Sequence, residues 1–186
     1  PRGRRLTSNE KIENAQSKLA IICPYKKLST YERDYPLVLA NIIFGGGTES
    51  KLFKNVREKH SLCYSIHSTV SKLDNVMAIT AGIDKSNYHK TVNLITKYLN
   101  DMKKGKFTAK DIATAKEFYQ ASLAEIDESA GRLLGEAMAE DILGMDSIEG
   151  RMERMNSVKK RDIVKVCKKI QIDTIFLLEG VKNEED

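Results

Sequence analysis

The stretch FGGGTESKLFKNVREKHSLCY, Phe44 to Tyr64, sets three glycines ahead of a charged segment and ends in an arginine and a tyrosine, Arg57 and Tyr64, seven positions apart. A glycine run marks a turn where positive φ or close backbone approach is wanted. It also invites comparison with phosphate-binding loops. Gly45-Gly46-Gly47-Thr48 lacks the lysine and Ser/Thr offsets of a Walker loop, and it follows a helical pattern rather than a strand, so neither nucleotide fingerprint is met.

Upstream of the glycines, Gln16 to Pro24 (QSKLAIICP) is an apolar, β-branched run closed by proline, which predicts a strand buried on both faces. Ser29-x-x-Glu32 is a capping box, and Tyr35, Val38, Leu39, Ile42 and Ile43 recur at helical spacing, which predicts a helix over Tyr31 to Phe44 that the glycines end. Downstream, Ser50 to His60 reads as a short helix with Leu52, Phe53 and Val56 on one side. Leu62 to Val70 alternates, with Leu62, Tyr64, Ile66 and Val70 on one face and Cys63, Ser65, His67 and Thr69 on the other. Asp74-Asn75 turns that strand into a second, Val76 to Ile83, giving an antiparallel hairpin.

The rest is mainly helical: Ser86 to Lys103, Thr108 to Glu125 behind a Thr108-x-x-Asp111 cap, Ser129 to Leu143, and, after the charged stretch MDSIEGRMERMNS, Val158 to Ile170. Thr174 to Leu178 (TIFLL) reads as a last buried strand before the polar tail VKNEED. The order predicts an α+β fold, an antiparallel or mixed sheet with helices layered on one face. With no internal repeat or linker, the sequence reads as one domain over 1–186.

Composition narrows the function classes. The chain has 186 residues, 41% hydrophobic and 31% charged, with a formal net charge of +5. No apolar run approaches the roughly 20 residues of a membrane span and the start PRGRR lacks a signal-peptide core, so the expected compartment is the cytoplasm. The absence of an initial methionine suggests a segment of something longer. Cys23, Cys63 and Cys167 are odd in number and widely spaced, which reads as buried free thiols. Lys159, Lys160, Arg161, Lys165, Lys168 and Lys169 could form a basic RNA-binding face, but no RNA-recognition motif or grouped aromatics accompany them; nucleic acid is not an expected partner.

His60, Cys63 and His67 offer nitrogen and sulfur but no fourth ligand, and a helix-end histidine beside a core cysteine explains them more simply. With three histidines in all, the chain holds neither H-E-x-x-H nor H-x-x-E-H, and G-x-S-x-G is also absent, so it is expected to carry no metal and no hydrolytic centre of its own. Arg57 and Tyr64 remain. A guanidinium can donate to carbonyl or carboxylate oxygens and a phenol to an oxyanion, while the plainer alternative is an Arg57 paired with Glu58 or Glu49 and a tyrosine half-packed on the sheet.

GGGTESKLFKNVREKHSLCYSI closely resembles the G-G-G-x-x-S-R-L-F-x-x-[IV]-R-E-K-x-G-L-[AS]-Y-S-[IV] segment of the pitrilysin/insulinase-like zinc metallopeptidases, the inverzincins that include the mitochondrial processing peptidases. NAQSKLAIICPY is similar to the family's opening strand, and ITAGIDKSNYHKTVNLITKYLNDMKKGKFTAKDIATAKEFYQASL to its strand and two following helices, so the resemblance covers nearly the whole chain. Lys51 stands for the usual arginine, Ser61 for the usual glycine, and Cys63 for a smaller residue.

The resemblance implies a division of labour. In active members an N-terminal domain carries H-x-x-E-H and zinc, and a related C-terminal domain without metal closes over the peptide. This chain corresponds to the second, non-catalytic domain. Its partner would be a homologous N-terminal domain or second subunit, any zinc would belong to that partner, and the exposed partner-facing surface could lead to self-association. Arg57 and Tyr64 match the arginine and tyrosine that reach the substrate backbone. Relatives contact substrate with a longer glycine-rich loop, so Gly45, Gly46 and Gly47 join the candidate substrate-binding residues, although the short form here reads first as a turn.

Overall fold

The computed structural model describes residues 5–13, 16–127 and 146–181. Its strands are β1 (Leu6–Glu13), β2 (Ser17–Pro24), β3 (Ser65–Ser71), β4 (Val76–Ile83) and β5 (Thr174–Val181). They form one sheet in the order β1-β5-β2-β4-β3. β1 runs parallel to β5 and every other pairing is antiparallel, so the sheet is mixed. The helices are α1 (Thr30–Asp34), α2 (Pro36–Phe44), a π-helix (Phe53–Lys59), a 3-10 turn (Lys85–Asn87), α3 (Tyr88–Lys103), α4 (Ala109–Asp127), α5 (Ile148–Ser157) and α6 (Lys160–Cys167). The result is the α+β architecture expected from the element order.

Register explains which face is covered. Ile21 pairs with Ile175 and Ile79, and Leu19 with Leu177 and Ala81, so these residues line up across the sheet and all are buried. They join Leu37, Leu39 and Phe44 of α2, Ile95 and Leu99 of α3, and Ile163 and Val166 of α6 in one hydrophobic cluster. The opposite face carries Ala20, Ile22, Ala78, Phe176 and Leu178, all only half-buried. The expectation that β2 is buried on both faces is therefore corrected: helices cover one side, and the alternation of small and apolar residues on the other leaves it partly open.

The helix expected over Tyr31 to Phe44 is two helices. Tyr35 breaks the path at φ −123°, ψ −70°, because the ring of Pro36 disfavours helical backbone in the residue before it. Ser29 caps α1 in the expected box: Glu32 N–H donates to Ser29 Oγ at 3.2 Å and Ser29 N–H to Glu32 Oε2 at 2.9 Å. Glu32 also receives Lys169 Nζ at 2.9 Å and Lys165 Nζ at 3.0 Å, tying α1 to α6 and the turn after it.

Two elements were not expected. β1 is exposed along all eight residues, and α5 lies inside the charged stretch after Gly144. The strand expected from Leu62 begins at Ser65, and the last strand extends to Val181. The helix expected over Ser129 to Leu143 falls outside the described residues. No described helix is long and apolar enough to cross a membrane.

Candidate functional site

The glycines do their work through the absence of a side chain. Gly45 N–H and Gly46 N–H both donate to Asn41 O at 2.9 Å, and Ser68 N–H of β3 donates to Gly45 O at 2.9 Å. Asn41 Oδ1 accepts from Ser68 Oγ at 2.7 Å, so the end of α2 is pinned against β3. A Cβ on Gly45 would stand 2.6 Å from Ser68 Oγ, and one on Gly46 would stand 2.8 Å from Ile42 Cα, whereas one on Gly47 would meet nothing nearer than Phe118 at 3.8 Å. None of the three has the positive φ that the sequence suggested for the cap. Close approach, not left-handed backbone, is what requires glycine at Gly45 and Gly46.

From there the chain enters the π-helix, whose wider turn is rare and concentrates at functional sites. Leu52 and Val56 are buried, while Phe53 is half-buried with the Arg57 guanidinium 4.6 Å from its ring centroid. Such a cation–π contact at an exposed site contributes on the order of 0.5–1 kcal/mol. Arg57 forms no ion pair among the described residues: Glu49 pairs with Lys54 instead, so the plain alternative of an Arg57–Glu49 or Arg57–Glu58 bridge does not hold. Lys51 Nζ donates to Asp111 Oδ2 at 2.7 Å and ties this segment to α4.

The π-helix ends with Ser61 N–H donating to Arg57 O at 3.0 Å and Leu62 N–H to Val56 O at 3.1 Å. To do so Ser61 adopts φ 49°, a left-handed conformation that costs a side-chain-bearing residue about 1 kcal/mol and glycine little. The alternation slips by one residue on the way into β3, where Tyr64 and Ser65 are both exposed. Cys63 is buried and Tyr64 is 52% exposed, before Ile66 turns inward and His67 outward. The expected grouping of Tyr64 with Ile66, and of Cys63 with His67, is thereby corrected.

His60 and His67 are exposed on either side of the buried Cys63, and His67 contacts Thr80 Oγ1 at 3.0 Å. Among the described residues no three of His, Cys, Asp and Glu converge as metal ligands. The described part of this chain does not fit a zinc ion, and no chemical step is assigned to one.

Arg57 and Tyr64 line the same pocket, of about 350 Å³, together with Ser61, Leu62, Cys63, Asp84 and Asn87. It sits at the β3 edge of the sheet, where β4 runs out into Asp84. Gly45, Gly46 and Gly47 are not among its lining residues. Tyr64 N–H is fixed to Gly82 O at 2.8 Å, and its hydroxyl donates to Asp84 Oδ1 at 2.8 Å. That bond, with a smaller contribution from burial, raises the phenol pKa above its ordinary value. Burial pushes the Cys63 thiol up to about 11, opposed by the Arg57 charge, so Cys63 packs as a protonated wall rather than a nucleophile. Sequence reasoning missed Asp84, because the only signal was its place at the end of a strand.

The basic face on and around α6 is largely engaged within the chain: Lys165 and Lys169 bind Glu32, Arg161 sits 3.6 Å from Asp162, and Lys160 Nζ donates to Phe107 O at 2.7 Å.

Comparison with known proteins places the chain in a family. A family model described as the peptidase M16 inactive domain matches residues 1–119. The chain is 36% identical over 163 residues to a probable inactive metalloprotease of Bacillus subtilis, YmfF, an overlap of 85% of this chain and 38% of that protein. The crystal structure of a conserved protein from Enterococcus faecalis superposes with a TM-score of 0.91 at 29% identity, covering 99% of this chain and 44% of that one. A peptidase M16 inactive domain from Pseudomonas fluorescens shares the fold at a TM-score of 0.77 and 17% identity, over 98% of this chain and 45% of that one. This chain thus spans less than half the length of each of these proteins. It belongs to the M16 peptidase inactive-domain family.

Proposed function

We propose that this chain is the non-catalytic half of a zinc-dependent peptidase or peptidase homologue, forming one wall of a substrate chamber and offering Arg57 and Tyr64 to the backbone of a bound peptide. The observation that carries the reading is that both side chains line one pocket while the guanidinium is left without a carboxylate partner among the described residues. A guanidinium with unclaimed donors suits a peptide carbonyl. The half-open sheet face, with Ala20, Ile22, Phe176 and Leu178, supports a homologous domain or subunit as the cover, and self-association when that cover is missing.

The test is steady-state kinetics on the chain assembled with its peptidase partner. Arg57→Ala is expected to raise KM and lower kcat, and Tyr64→Phe to lower kcat/KM, each by roughly 10–100-fold, the scale of one lost hydrogen bond involving a charged group. Unchanged cleavage by both variants would refute the reading.

A second reading, a peptide-binding scaffold without peptidase activity, is favoured by the relative described as an inactive metalloprotease. It shares the pocket and differs in the partner, so peptide binding without turnover in the assembled protein distinguishes it.

A further inference from the structure

Tyr64 and Asp84 stand 20 positions apart and are brought side by side by the antiparallel β3–β4 pairing, which sets Ser65 opposite Gly82; both are exposed, and the phenol points its proton at Asp84 Oδ1 at 2.8 Å. Asp84 is the N-cap of the 3-10 turn, with extended backbone at φ −76°, ψ 141°. An aspartate there ordinarily turns its carboxylate onto the N–H groups of the first turn. This one accepts no capping bond; Asn87 N–H goes to the Asp84 carbonyl at 2.9 Å. The carboxylate is turned to the pocket it shares with Arg57.

The consequence lies in the donor and acceptor inventory. A phenol has one proton and two lone-pair sites, and a guanidinium has donors only. With its proton given to Asp84, Tyr64 has only acceptor capacity left to offer a ligand. Arg57 supplies the donors, and no described carboxylate consumes them. One pocket thus has a donating side and an accepting side, the complement of a peptide group with its carbonyl and its N–H.

We propose that Asp84 is the positioning residue of this site: by accepting the hydrogen bond of the Tyr64 hydroxyl it leaves Tyr64 as an acceptor for a peptide N–H, while Arg57 donates to a peptide carbonyl. This rests on the peptide-binding reading above and adds the direction of each hydrogen bond. It also reverses the donor role that a tyrosine at this place first suggests, because donation to an oxyanion would require the Asp84 bond to break.

The test has two arms on the purified chain. In the first, the ring carbons of the 7 tyrosines are labelled and Tyr64 is assigned by its loss in Tyr64→Phe, after which its titration is followed by NMR. The Tyr64 midpoint is expected to fall in Asp84→Ala and to be restored in part by Asp84→Glu. Asp84 is exposed, so the substitution spares the core. In the second arm the probes are blocked oligoalanine peptides with and without backbone N-methylation, their binding read from the Arg57 and Tyr64 signals. The native chain is expected to prefer the unmethylated peptide by about 2–10-fold, the net effect of one hydrogen bond. Asp84→Ala should reduce that preference, since its phenol is no longer held with the proton turned away and can also turn to donate, and the difference between the two proteins cancels the steric effect of the methyl group.

Arg57→Ala should weaken both peptides alike. An unchanged Tyr64 titration in Asp84→Ala, or an undiminished methylation preference, overturns the role of Asp84 while leaving the effect of Arg57→Ala standing. If neither peptide moves the pocket signals, or Arg57→Ala changes nothing, the peptide reading falls and this assignment with it.

Discussion

Replacing Glu32 by glutamine tests whether one carboxylate holds α1 to the last helix. Burial acts to raise the pKa of Glu32, but hydrogen bonds from Lys169, the Ser29 N–H and Lys165, with the Lys169 charge, outweigh it and bring the value from 4.5 down to about 2. A group whose pKa falls on folding adds stability that is fully present above its unfolded value and is lost as pH drops through the folded one. The fall from 4.5 to about 2 corresponds to a ceiling of about 3 kcal/mol. Lys165 is 66% exposed and Lys169 is 27% exposed, so solvent screens part of this, and about 2 kcal/mol is the expected cost of Glu32→Gln at neutral pH. Glutamine keeps the capping geometry and removes only the charge. For a chain of this size the loss lowers the melting temperature by roughly 4–8 °C. Calorimetric melts at neutral pH and at steps between pH 4.5 and about 2 should show the gap between native and variant closing as acid is added. A constant gap across that window, or none at pH 7, would show that the Glu32 charge is not what joins these elements.

Two further outcomes concern the Phe44–Tyr64 stretch. Gly46→Ala should cost about 1–3 kcal/mol in urea denaturation, because its Cβ meets the Ile42 backbone at 2.8 Å, and Gly45→Ala a similar amount through Ser68 and Leu52. Gly47→Ala has room and should be neutral or stabilising by up to about 1 kcal/mol; equal losses at all three positions would contradict the packing account. Ser61→Gly should stabilise by a few tenths to about 1 kcal/mol by relieving φ 49°, and a destabilised variant would mean that the Ser61 side chain offsets its strained backbone some other way.

The parts of the fold legible in the sequence are those with an apolar period or a cap. β2, the β3–β4 hairpin, α3 and α4 carry such signals and lie close to their expected places. β1 was invisible because LTSNEKIE is an exposed edge strand, with no buried face to impose alternation. α5 was hidden by charge, although Met155 is fully buried and Ser147 caps it. Pro36 announced the break at Tyr35, but the longer helical period masked it. At the site, the residue types at Arg57 and Tyr64 were readable and their shared pocket was a guess from spacing. The inversion at Cys63 and Tyr64 follows from two successive exposed residues, Tyr64 and Ser65, where the chain enters β3, and an alternating pattern does not reveal such a break. Asp84 meets Tyr64 only through the pairing of two strands, and a linear pattern carries no trace of that.

The strand order β1-β5-β2 means that the last described strand is not an edge but a keystone between its neighbours. β1, near the start of the chain, touches the sheet solely through β5, pairing Leu6 with Thr174 and so on to Glu13 with Val181. During synthesis the early strand therefore waits for the final one, and until that arrives β2 keeps an open flank of its own. A cut before Thr174 would remove two of the described strands from the sheet rather than one, leaving the antiparallel β2–β4–β3 trio.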